Sequence, residues 1–138
     1  MEKDVTIQLT SINTIDNDSS RTDLTTTGTF RTVEGGFQLK YEESEVTGFK
    51  GSTTYLSVFG NTLVNLRRIG TAPSDLTIET GKKHHCHYGT PYGEFIMGIY
   101  THGIVNNIDE NGGELYFKYT VDINSSLVSD NEIYITVK

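Results

Sequence analysis

At 138 residues the chain is long enough to core one domain, burying roughly two-thirds of its unfolded surface, and too short for two. Its net charge of −7 argues against nucleic acid or an anionic membrane as partner, because phosphate binding rests on excess Lys and Arg. A single cysteine, Cys86, allows no internal disulfide; no apolar run approaches the roughly 20 residues of a membrane helix, and Met1-Glu2-Lys3-Asp4 opens without an apolar signal core, so a cytoplasmic location is expected.

In chain order, Val5, Ile7 and Leu9 alternate with Thr6, Gln8 and Thr10, the period of a half-buried strand. Asp16 to Arg21 reads as a polar loop. Thr22 to Val33 is a Thr-dominated strand that turns at Glu34-Gly35 into Gly36 to Glu45. A two-residue turn there sets Thr32 opposite Phe37, Phe30 opposite Leu39 and Gly28 opposite Tyr41, which gathers Phe30, Phe37, Leu39 and Tyr41 on one face. Val46 to Ser52 is a loop. Thr53 to Phe59 and Thr62 to Ile69 form a second hairpin over Gly60-Asn61, with Val58 expected opposite Leu63. After a loop at Gly70 to Pro73, Ser74 to Thr80 is a short strand.

Lys82 to Tyr88 and Tyr92 to Val105 form a third hairpin, whose Thr90-Pro91 turn would put Glu94 opposite His87. Asn106 to Gly113 is a long turn rich in Asn, Asp and Gly. Leu115, Phe117, Tyr119, Val121 and Ile123 then alternate cleanly. A three-residue turn at Asn124-Ser125-Ser126 places Ile123 opposite Leu127 and Phe117 opposite Ile133, with Ile135 and Val137 on the same inward face. The rhythm gives eight to ten strands in an all-β, antiparallel up-and-down meander, read as one domain over residues 1–138. An open sheet of that length would expose two sticky edges, and closure into a barrel removes them. A barrel of this size is either filled by side chains or holds one small ligand.

Four segments carry a family likeness. Tyr41-Glu42-Glu43-Ser44-Glu45-Val46-Thr47-Gly48 and Thr90-Pro91-Tyr92-Gly93-Glu94-Phe95 are joined by Gly81-Lys82-Lys83-His84 and by Leu127-Val128-Ser129-Asp130-Asn131-Glu132. In order and spacing they resemble the YwiB-like family of small bacterial proteins of unknown function. The resemblance implies a lipocalin-like (calycin) β-barrel and supplies no established catalytic or ligand-binding residue. The cluster His84-His85-Cys86-His87 is not part of the family pattern.

Alternation continued past Tyr41 carries Glu43 and Glu45 inward, where a carboxylate must find a partner or stay protonated. Adjacent residues of a strand face opposite ways, so one of Arg67 and Arg68 is expected inside to supply that partner. Tyr41, Glu43, Glu45, Arg67 and Arg68 are therefore the candidate ligand-binding set. A structural ion pair is the plainer alternative. His85, His87 and Glu94 form a weak candidate metal site, since two histidines and a carboxylate suit zinc or iron. They fall on the more polar face, which turns them outward and leaves Cys86 as a small core residue.

No nucleophile elbow, phosphate loop or paired-cysteine motif is present, so no cofactor is expected and no catalytic residue is assigned. The leading reading is a non-enzymatic barrel that binds a small molecule in its interior or at its mouth; an enzyme using an inward carboxylate and a filled barrel serving as a homodimer or interaction module are the alternatives.

Overall fold

The computed structural model describes residues 2–71, 73–90, 93–123 and 126–138, with side chains except those of residues 87–90, 93–95 and 127. Ten strands follow one another: β1 (Glu2–Ile15), β2 (Asp18–Val33), β3 (Gly36–Glu42), β4 (Ser52–Phe59), β5 (Leu63–Gly70), β6 (Ser74–Glu79), β7 (Lys83–Thr90), β8 (Gly93–Asn106), β9 (Gly113–Ile123) and β10 (Ser126–Val137). Each pairs antiparallel with its chain neighbours, and β10 returns to β1 to close the barrel. No helix of the described residues is long and apolar enough to cross a membrane.

Closure leaves no unpaired edge, but the wall is uneven. β1 and β2 pair along their whole length, from Glu2–Arg31 to Ile15–Asp18, whereas β6 meets β7 only at Ser74–Tyr88 and Asp75–His87. Below that short ladder the Thr77 N–H donates to Cys86 Sγ at 3.3 Å, and His84 Nε2 meets Glu79 Oε1 at 2.9 Å. Side chains close the seam where backbone pairing stops.

Turn chemistry decides the registers. The segment expected as a polar loop at Asp16 to Arg21 is a tight hairpin instead: Asp16 and Asn17 take φ of 51° and 68°, the pair of positive values a two-residue type I′ turn requires. Ser19, Ser20 and Arg21 then extend β2 as exposed strand. The Glu34-Gly35 turn gives the expected partners, Thr32–Phe37, Phe30–Leu39 and Gly28–Tyr41. Gly28 is required there, because a Cβ would stand 2.3 Å from the Lys40 carbonyl oxygen.

The second hairpin differs from expectation by one residue. Its turn spans Gly60, Asn61 and Thr62, so Val58 faces Val64 and Phe59 faces Leu63. A one-residue slip reverses every side chain, and here it carries Val64, Leu66 and Arg68 to the interior. The third hairpin differs by two: Thr90 pairs with Gly93, Gly89 with Glu94 and Cys86 with Met97. Faces survive a two-residue slip, but Glu94 is not opposite His87. Pro91 and Tyr92 lie outside the described residues.

In the last hairpin Ser126 faces Ile123, and an irregularity between Leu127 and Ser129 restores the expected Phe117–Ile133 pair. The Ile123–Leu127 pair does not form; Asn124, Ser125 and the Leu127 side chain lie outside what is described.

The interior divides along the barrel axis. Ile7, Phe30, Phe37, Leu39, Val58, Val64, Ile78, Leu115, Phe117 and Val137 fill one part and are all buried. Phe30 stacks on Phe37 with ring centres 5.3 Å apart. Ile108, from the turn between β8 and β9, joins this core. Towards the opposite end the inward residues become Ser11, Asn13, Thr22, Glu43, Thr54, Arg68, Ser129 and Asn131.

Candidate functional site

The polar part of the interior encloses a cavity of about 210 Å³. Leu9, Leu56, Leu66, Leu76, Ile133 and Ile135 supply its apolar surface. Tyr41, Glu43, Thr54 and Arg68 line it from β3, β4 and β5, while Ser11, Asn13, Thr22, Tyr119 and Asn131 line it from β1, β2, β9 and β10. Thr47 and Phe49 reach it from the chain that connects β3 to β4.

That connection explains why Glu43 and Glu45 part company. The Glu43 N–H donates to the Ser52 carbonyl at 2.9 Å, the last rung between the two strands. Beyond it the chain turns, with Thr47 N–H bonded to Ser44 O at 3.3 Å and Gly48 N–H to Glu45 O at 3.2 Å. Alternation therefore carries Glu43 inward and ends before Glu45, which is exposed and bridges to Lys50 at 3.0 Å. On β5, Arg67 is exposed and Arg68 is buried, 5% accessible. Of the five candidate residues, Tyr41, Glu43 and Arg68 meet around the cavity; Glu45 and Arg67 point away from it.

The electrostatics are those of a cation and an acid in one confined, partly open space. Arg68 Cζ sits 3.5 Å from the centre of the Phe49 ring, so the aromatic face covers the guanidinium and favours its charge. Burial raises the Glu43 carboxyl above its ordinary 4.5, outweighing the attraction of Arg68 and the nearby Thr47, Tyr41 and Thr54 hydroxyls. Burial also pushes the Tyr41 phenol far up, and the Glu43 charge adds to that rise. These groups stand close enough to shift one another's protonation. Even so, among the described residues neither Glu43 Oε1 nor Thr54 Oγ1 has a partner in good hydrogen-bond geometry. Across the cavity, Asn13 Nδ2 donates to Asn131 Oδ1 at 2.6 Å, and Asn131 Nδ2 donates to Ser129 Oγ at 3.0 Å.

The residues missed from sequence are this second wall. Ser11 and Asn13 continue the odd-numbered inward row of Val5, Ile7 and Leu9, so alternation could have reached them, but the expected row was carried no further than Leu9. Asn131 extends the row of Ile133, Ile135 and Val137 in the same way.

The described side chains of the His/Cys cluster go different ways. Cys86 is buried and its thiol is raised by burial, while His84 is bound to Glu79 and His85 is exposed. The side chains of His87 and Glu94 lie outside the described residues. No group of three His, Cys, Asp or Glu among the described residues is placed to hold a metal ion.

Residues 7–135 match the family model described as Domain of unknown function (DUF1934). The chain belongs to the DUF1934 family. The crystal structure of the YwiB protein from Bacillus subtilis is similar to it with a TM-score of 0.77 at 20% sequence identity, over 99% of this chain and 93% of that one. The likeness to YwiB is one of fold. It agrees with the family resemblance read from the four sequence segments. No curated protein matches this DUF1934 chain.

Proposed function

We propose that the barrel binds a small molecule in the cavity at the polar end of its interior. One observation carries the reading: a space of about 210 Å³ whose wall holds buried polar atoms, Glu43 Oε1 and Thr54 Oγ1, with no well-aligned partner among the described residues. Leaving a buried polar group unsatisfied costs about 1–3 kcal/mol, so a structure that keeps such atoms around a space gains from an occupant that meets them. An engineered apolar cavity of about 150 Å³ takes up benzene, which sets the scale of the ligand at roughly one ring with a polar group. The apolar wall receives the body and the Tyr41–Glu43–Thr54–Arg68 side receives the polar head.

A fragment screen followed by protein NMR tests this. Binding is expected to move the signals of Leu9, Thr54, Leu66 and Ile133 together. A screen without binders, or binders that move only outward-facing residues such as Tyr116 and Tyr134, defeats it.

A further inference from the structure

The charges around the same cavity narrow the class of ligand it can hold. Among the described residues that line it, the titratable or charged side chains are Tyr41, Glu43, Arg68 and Tyr119. Burial pushes the Tyr41 phenol far up, so it carries no charge there. Among the described residues the wall therefore holds one permanent cation and one carboxyl group. An ammonium ligand would be repelled by Arg68. A dianion such as a phosphate monoester would find a single cation to meet two charges. A carboxylate matches Arg68, whose N–H donors lie in the plane of the guanidinium and not on the face that Phe49 covers. Two carboxylates crowded beside one arginine in a confined space do not both stay ionised, because like charges at close range raise the proton affinity of one of them. The group that takes the proton is the one whose charge burial already disfavours, and as an acid it gains a donor.

Resting on the binding reading above, we infer that the cavity takes a small monocarboxylate with a one-ring apolar body, and that it binds together with a proton held on Glu43. The balance is simple. The ligand arrives as the anion, Glu43 accepts one proton from solvent, and the occupied cavity keeps the net charge of the empty one. No covalent bond changes.

The probes are benzoate, benzamide and benzylamine, of similar size and different charge, titrated calorimetrically into the intact chain. Buffers of different ionisation enthalpy count the protons exchanged. Benzoate is expected to bind more tightly than both others. Its affinity should fall with rising pH, by up to about tenfold per unit once free Glu43 is ionised, and proton uptake should approach about one per benzoate near pH 8. In Glu43→Gln, benzoate should still bind, with uptake close to zero and an affinity that no longer follows pH. The wild-type proton count stands without the variant, so a variant that fails to fold leaves the test intact. Benzamide or benzylamine binding as tightly as benzoate, or benzoate binding without proton uptake, overturns the inference and leaves the cavity a binding site for another class. If none of the three, and no other fragment, binds at about 10 mM, the binding reading falls as well, since even a ligand of about nine heavy atoms at low efficiency is detectable there.

Discussion

The two ends of the barrel interior are made by the same strands under the same alternation, yet they solve opposite problems. At one end Phe30, Phe37, Val58, Val64, Leu115 and Phe117 interlock and are almost wholly buried. At the other, residues further along the inward rows of β3, β4, β5 and β9, namely Tyr41, Thr54, Arg68 and Tyr119, help to surround a cavity. Stability concentrates in the first end, which frees the second to keep polar groups that a fully packed core could not hold. The division also shows how a barrel of this size can be both filled and hollow.

The largest effect should come from cutting into the packed end. Phe117 is completely buried, so Phe117→Ala is expected to lower stability by about 3–5 kcal/mol in urea unfolding. A loss below about 1 kcal/mol would mean that the packed end is not where the stability lies.

Glu43 sharpens the comparison through pH. Its carboxyl is raised above the ordinary 4.5 in the folded chain, chiefly by burial. A carboxyl raised on folding binds its proton more tightly in the native state. The stability this gives is fully present below the unfolded value and is lost as pH rises through the folded one. Wild type should therefore lose stability relative to Glu43→Gln as pH rises from the ordinary carboxyl value through the raised folded one, with the two curves parallel above it. Thermal unfolding across pH checks the sign; a wild type that gains on the variant as pH rises would show that attraction to Arg68 outweighs burial.

Thr54 lies at the boundary between the ends, buried, its hydroxyl close to Glu43 but without a well-aligned partner among the described residues. Thr54→Val keeps the shape and removes that group, so it should change stability by no more than about 1 kcal/mol and in the favourable direction, while weakening the binding of fragments with a polar head. A marked destabilisation, seen by the same unfolding assay, would show that the hydroxyl is bonded in solution.

Much of this division was legible in the sequence. Alternation found the inward rows of β1, β3 and β9, and the Glu34-Gly35 turn fixed its register to the residue. The turn at Gly60 was less informative, because Gly-Asn-Thr can close a two- or a three-residue loop, and only the loop length decides whether Arg67 or Arg68 turns inward. The expected alternative of two arginines was as far as local pattern reached. Ser11, Asn13 and Asn131 were hidden for a different reason: a polar residue on an inward row is indistinguishable from a strand end until closure places it across from Glu43 and Arg68.

The smallest predicted effect tests that last point most sharply, through two carboxylates two residues apart. Had alternation run on through Glu45, Glu43→Gln and Glu45→Gln would behave alike. The ladder instead ends at the Glu43–Ser52 rung, and Glu45 stands in solvent against Lys50, with side chains 81% and 69% accessible. An exposed pair of this kind is screened by water and salt and holds two long side chains at an entropic cost. Glu45→Gln should therefore shift stability by less than about 0.5 kcal/mol, lose even that in high salt, and leave fragment binding untouched. Its curve of stability against pH should follow wild type, whereas that of Glu43→Gln should not. Equal pH responses from the two variants, read by thermal unfolding, would mean that the turn after Glu43 does not separate them, and that the boundary of the polar end has been drawn in the wrong place.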